Sequence, residues 1–193
     1  MIPLRQLAAI AANPAMPAKQ VPWLTQALTD QGLTDFDHYL AQHRTGPLLY
    51  AALRKHEIDA PAALQRQLAD RYLRAQAQST RLTALVGEMR ATLDAAGIES
   101  VWLKGIGLAH SVYPEPALRP MEDIDLLVPE HAMHAAAKAL AGIGVRLQPP
   151  RTRSERLHHH WPLGTANRSG RPIFIELHSA VMNTRLGRYA GFE

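Results

Sequence analysis

Apolar positions recur in two rhythms along this chain, and the change between them falls near residue 97. Before it the steps are of three and four, the spacing of a helix with one buried face. Residues 3–12 predict a short Ala/Leu helix stopped by Asn13, Pro14 and Pro17. Pro22 suits the first turn of a second helix, which runs to about Gln31 with Gly32 as its stop. Thr34 is placed to cap a third through about Gln42, with Asp35 and Asp37 in its favourable first turn. Gly46-Pro47 opens a fourth, ending near His56. After Asp59-Ala60-Pro61 comes the longest element. Leu64, Leu68, Tyr72, Ala75, Ser79, Leu82, Leu85/Val86, Met89 and Leu93 form one stripe, and Gly97 closes the helix as its C′ residue.

Beyond Gly97 the rhythm shortens to two. Ile98–Leu103 is β-branched and aromatic and predicts a strand. A short helix over Ile106–Val112 ends near Pro114 and Pro116. A strand over Asp123–Val128 follows, then a helix from Pro129 to about Ala141, ended by Gly142 and Gly144. Val145–Leu147 predicts a third strand, residues 149–170 a polar loop rich in Arg, Pro and His, and Ile173–His178 a fourth strand. The order gives an α+β fold: an N-terminal helical bundle followed by a small mixed sheet with helices on one face. The expected organisation is a helical region over 1–97 and a sheet region over 98–193, or one compact unit if the long helix packs on the sheet.

Composition narrows the function classes. A chain of 193 residues with no Cys cannot be a disulfide scaffold, a Cys-ligated zinc protein or a thiol-nucleophile enzyme. No run approaches the ~18–20 apolar residues of a membrane span. The N-terminal apolar patch, Leu7–Ala12, is too short and broken for a signal peptide. The expected location is the cytoplasm, with no membrane partner. The net charge of +4 is unevenly spread: residues 1–143 hold 13 Lys+Arg against 14 Asp+Glu, and residues 144–193 hold 8 Arg against 3 Glu. A basic segment of this kind suits a polyphosphate or nucleic acid, and equally a solvated basic face.

The chemistry concentrates on two strands. Along Asp123-Ile124-Asp125-Leu126-Leu127-Val128 the apolar Ile124, Leu126 and Val128 share one face, and Asp123 and Asp125 share the other. Carboxylates two apart on a strand have Cα atoms ~6.6 Å apart. That separation allows both to reach one divalent cation, or the two ions of a metal pair about 3.5–4 Å apart. In Ile173-Phe174-Ile175-Glu176-Leu177-His178 the parity sets Phe174, Glu176 and His178 opposite Ile173, Ile175 and Leu177. If the two strands are neighbours, Glu176 completes a three-carboxylate cluster. Hard oxygen donors of this kind suit Mg²⁺ or Mn²⁺ rather than zinc. Mg²⁺ sites of this type are usually completed by substrate phosphates, which points to phosphoryl or nucleotidyl transfer.

Lys104-Gly105, a short helix, Arg119-Pro120 leading into Asp123-Ile124-Asp125-Leu126-Leu127-Val128, and later Ile175-Glu176-Leu177-His178 together resemble the uncharacterised nucleotidyltransferase family within the DNA polymerase beta-like superfamily. The resemblance covers about residues 98–180 by motif. It implies a minimal polymerase-beta-like palm over 98–193 that moves a nucleoside monophosphate from an NTP, ATP in the first instance, to an acceptor. By that resemblance Asp123, Asp125 and Glu176 bind the catalytic Mg²⁺ or Mn²⁺, and Glu176 also helps deprotonate the acceptor hydroxyl. Lys104, Gly105 and Arg119 bind the nucleotide. A helix N-terminus favours anions and Gly permits close approach, so Lys104-Gly105 is a sensible place for a triphosphate. Two departures stand out: Lys-Gly replaces the commoner Gly-Gly or Gly-Ser, and the spacing from Gly105 to Asp123 exceeds that of small antitoxin-type members. Lys-Gly with Arg-x-x-x-Asp-x-Asp is also similar to nucleotidyltransferase toxins of abortive-infection systems.

Other residues keep two readings each. Arg119 suits an ion pair with Asp123 or Glu122, or a contact to phosphate. Among His158-His159-His160 the alternating sides of an extended segment disfavour a shared metal, and His159 or His160 is instead a candidate for the active-site surroundings, as is His178. The acceptor is open between protein, peptide, small molecule and RNA, and so is the oligomeric state. The alternatives to an active enzyme of this kind are a nucleotidyltransferase-fold binding or regulatory module, or an RNA-modifying toxin-like enzyme. The chain ends fifteen residues after His178, where many relatives carry further helices, so a short protein and a truncated one are both expected readings.

Overall fold

The structure, a computed structural model, describes residues 33–149, 160–168 and 171–180. The helices expected over 3–12 and 22–31 lie outside the described residues. Contacts divide the described chain into two compact units. One contains the residues up to Ser79 together with Ala109–Met121. The other contains Thr80–Leu108 together with the residues from Glu122 onward.

The first unit is helical. It contains α1 (Leu33–His43), α2 (Gly46–Lys55), the N-terminal half of α3 (Ala62–Ala95) and a 3₁₀ turn at Pro116–Leu118. Thr34 falls inside α1 rather than before it. Pro47 sits in the first turn of α2, where its missing N–H has no partner to lose. Leu40, Leu49, Leu64 and Leu68 are fully buried. Tyr50 and Tyr72 stack with centroids 5.1 Å apart, and the Tyr72 hydroxyl donates to Glu115 at 2.5 Å.

In the second unit, the rest of α3 buries Leu82, Leu85, Met89 and Leu93, steps of three and four as the sequence predicts. The helix ends as Gly97 implies. Gly97 adopts φ +67°, its N–H donates to the Asp94 carbonyl, and the Ile98 N–H reaches back to the Leu93 carbonyl. Buried Ile98 and Leu93 close the apolar side of this Schellman turn.

Five strands form one sheet: β1 (Val101–Leu103), β2 (Asp123–Leu127), β3 (Val145–Arg146), β4 (His160–Arg168) and β5 (Arg171–His178), in the order β1-β2-β5-β4-β3. β2 and β5 are parallel and the other pairs antiparallel, so the sheet is mixed and the fold is α+β as expected. α4 (Lys104–Ser111) follows β1. A 3₁₀ turn (Glu130–Ala132) leads into α5 (Met133–Ala141). Ile124, Leu126, Ile173, Ile175 and Leu177 are wholly buried on one face. Trp161, level with Leu177, meets His134 of α5 edge-on there.

The sequence reading places a loop where β4 lies. Pro162 and Gly164 break the two-residue alternation, and the ladder to β5 shifts register between Trp161 and Gly164. The irregularity that hides the strand is a bulge in it. Gly164 is required there, since a Cβ would run into Leu147 and lie 3.0 Å from the Arg146 carbonyl oxygen. Among the described residues no helix is long and apolar enough to cross a membrane.

Candidate functional site

The register of two parallel strands builds the site. β2 and β5 pair so that Asp125 stands directly beside Glu176, with Asp123 beside Phe174 and Leu127 beside His178. Adjacent strands lie ~4.8 Å apart, so the Asp125 and Glu176 carboxylates project from neighbouring points of one face. On the other side of β2, Leu103 at the end of β1 is level with Asp125. The chain then turns into α4 at Lys104, which adopts φ 45°. A non-glycine residue in that left-handed region is uncommon, and here it lies where β1 stops and α4 begins. Gly105, the neighbour expected to let phosphates approach the backbone, is buried in the first turn of α4.

Four polar groups converge. The Lys104 Nζ donates to Asp125 Oδ1 at 2.5 Å and lies 3.8 Å from Glu176 Oε2. His178 Nε2 lies 2.8 Å from the same Asp125 oxygen and 3.4 Å from Glu176 Oε2. The Asp125 side chain is 3% exposed, whereas that of Lys104 is 60% exposed. Burial alone pushes the Asp125 carboxyl up. The hydrogen bonds from His178 and Lys104, with their charges, outweigh it and hold the group below its ordinary value. An ionised carboxylate only accepts, so the His178 Nε2 facing it carries the proton. The hydrogen bond to Asp125 pushes the Lys104 ammonium up against the opposing effect of burial, helped by the charges of Asp125, Glu176 and Asp123.

The depressed Asp125 carboxyl has a consequence for acid stability. Its contribution is fully present above the ordinary value of 3.8 and is lost as pH falls through the lower folded value. The urea midpoint of the wild type is therefore expected to drop below about pH 4 more steeply than that of Asp125→Asn. Parallel curves for the two proteins would remove Asp125 from the acid limb.

Among the described residues, Asp125, Glu176 and His178 form the group whose ligand atoms all lie within 4.8 Å of one another. Asp123 is half-buried on the same face, one step earlier along β2, and its field reaches Lys104. Three carboxylates against one ammonium leave two formal negative charges, and the ammonium already stands between two of the carboxylates. The donor set therefore fits a hard divalent cation. His160, at the start of β4, is level with His178. His158 and His159 lie outside the described residues. Arg119 belongs to the first unit, where its guanidinium lies over the Tyr113 ring at 5.9 Å.

Gly107 was not singled out by sequence. A Cβ there would collide with the Trp102 carbonyl oxygen, so α4 rests backbone-to-backbone on the end of β1. The signal available was two glycines, Gly105 and Gly107, inside one short helix, where glycine is otherwise unfavourable.

No curated protein and no solved structure matches the chain. A family described as uncharacterised nucleotidyltransferase matches over residues 29–191, which takes in every described helix and strand. The chain belongs to this uncharacterised nucleotidyltransferase family.

Proposed function

We propose that the protein transfers a nucleoside monophosphate from an NTP to an acceptor hydroxyl, using Mg²⁺ or Mn²⁺ held by Asp123, Asp125 and Glu176. The observation that carries this reading is the in-register pairing of Asp125 with Glu176 around the Lys104 ammonium. A divalent cation bound there would polarise the α-phosphate and offset charge on the departing pyrophosphate. The acceptor oxygen attacks the α-phosphorus, a new P–O bond forms, and the bond to the bridging α–β oxygen breaks. Glu176, the more exposed of the paired carboxylates, is placed to take the acceptor's proton. Lys104 is exposed enough to exchange its bond to Asp125 for one to a phosphate oxygen. His178 holds Asp125 in place from the buried side. Residues 98–193 act as the palm, with Gly105 letting the phosphates approach α4.

Calorimetry tests the reading without knowledge of the acceptor. The full chain is titrated with ATP and the other NTPs, with and without Mg²⁺. The expected result is NTP binding that strengthens at least about tenfold with Mg²⁺ and is lost in Asp123→Ala/Asp125→Ala. Absence of binding by any NTP in the presence of Mg²⁺ or Mn²⁺ would sink the proposal.

A further inference from the structure

The carboxylate face of the sheet carries one large side chain that the transfer chemistry leaves unused. Leu73, Val101, Leu108, Val112 and Phe174 are the large apolar residues exposed to solvent among the described residues, and only Phe174 is aromatic. It is 39% exposed, while Ile173 and Ile175 on either side are fully buried. Strand parity therefore turns the ring to the face of Asp125 and Glu176. It stands beside Asp123 on β2 and beside Thr165 on β4, two residues before Glu176. A single exposed apolar residue is ordinary on a protein surface. A phenyl ring in a row of polar groups, next to a buried carboxylate centre, is placed for a ligand rather than for a core.

The geometry limits which part of a ligand it meets. Phe174 is one strand across and two residues along from Asp125, a Cα separation of ~8 Å. The ring thus lies beside the carboxylates and not over them. Lys104 reaches the same centre from the opposite flank, beyond β2 on the β1 side. Phosphates drawn to Lys104 leave the β5–β4 flank for the rest of the nucleotide. Every NTP brings one flat aromatic group, tethered to its α-phosphate through a single ribose. We infer that Phe174 is the stacking platform for the nucleobase of the bound NTP, a deduction that rests on the nucleotidyl-transfer reading above. Because every base has a π face, such a platform accepts any of them, and purines gain more by their larger area.

The test compares a ligand that has a base with one that has none. The full chain, Phe174→Ala and Phe174→Trp are titrated calorimetrically with ATP, CTP and inorganic triphosphate in Mg²⁺. Phe174→Ala is expected to weaken ATP about tenfold or more, as expected for a lost base–aromatic stack. CTP weakens less, and triphosphate stays within about twofold. Phe174→Trp restores ATP binding. An ATP affinity unchanged in Phe174→Ala overturns the inference, and does so equally if transfer nonetheless falls, since Phe174 then contacts the acceptor. Equal weakening of ATP and triphosphate also overturns it, because the ring is then only supporting the phosphate site. If wild type binds triphosphate no better than it binds sulfate and does not bind ATP at all, the transfer reading itself fails and the inference goes with it.

Discussion

Asp125→Asn is expected to lower NTP-dependent nucleotidyl transfer by about 10³-fold, roughly 4 kcal/mol of transition-state stabilisation. Asparagine keeps the shape and one acceptor oxygen, so Lys104 or His178 retains a partner. What it removes is the charge, and the site is built around that charge. Asp125 is the most buried of the carboxylates and accepts from both neighbouring donors through a single oxygen. It is also the one whose proton is held off despite burial. Asp123→Asn, at the half-buried start of β2, is expected to lose less, about 10²-fold. The measurement is pyrophosphate release, or label transfer from α-labelled NTP, on proteins with matching circular dichroism. An Asp125→Asn protein retaining a tenth of wild-type turnover would take this residue out of the reaction. The ranking is informative too, because a surface pair of acids would give two small and similar losses.

The role proposed for Lys104 rests on the same contacts. A cation bonded to a buried carboxylate is ordinarily a structural ion pair, and breaking such a pair is destabilising. Here only one partner is buried. The ammonium is exposed, on a long flexible stem, at a corner where the backbone itself sits in an uncommon region. Enclosing the ammonium as well would add its own desolvation cost. Left exposed, it keeps the acid ionised and stays available to a ligand, as the proposed contact to phosphate requires.

Much of this was legible in the sequence because it depends on local periods. The stripe from Leu64 to Leu93, the stop at Gly97, and the two faces of Asp123–Leu127 and Ile173–His178 follow from side-chain direction alone, and the buried residues agree. The pairing of Asp125 with Glu176 follows from the sequence only as a condition, that the two strands are neighbours. Neighbouring strands joined through a helix and two further strands cannot be read from spacing, since the partner of β2 is chosen by the whole sheet. β4 was missed because its bulge breaks the period that reveals strands. The positive φ at Lys104 has no sequence signal either, since glycine is the usual bearer of such a φ and here a lysine tethered to a carboxylate takes it. His178 was placed on the correct face, but its bond to Asp125 depends on how β5 ends against β2, a tertiary fact.

The second large effect is a pair of identical substitutions with opposite signs. Gly107→Ala is expected to destabilise the protein by about 3 kcal/mol, the upper range for overpacking. Its Cβ meets the Trp102 carbonyl oxygen, which is backbone and has no rotamer by which to escape. Either α4 lifts away from β1 or β1 shifts in the sheet. Both movements displace Lys104, which lies between them, so NTP affinity should fall along with stability. Gly87→Ala, in the interior of α3, meets nothing within 4 Å and lies on the exposed side of the helix. There the only change is the loss of glycine's freedom in the unfolded chain, a gain of about 0.5–1 kcal/mol. Urea unfolding of the two variants, with NTP binding on each, separates the cases. Close packing of α4 on β1 requires the first to lose on both counts and the second to gain stability with binding unchanged. If Gly107→Ala matched Gly87→Ala, the corner that carries Lys104 would be loose, and the ammonium between the two carboxylates would owe its position to charge alone.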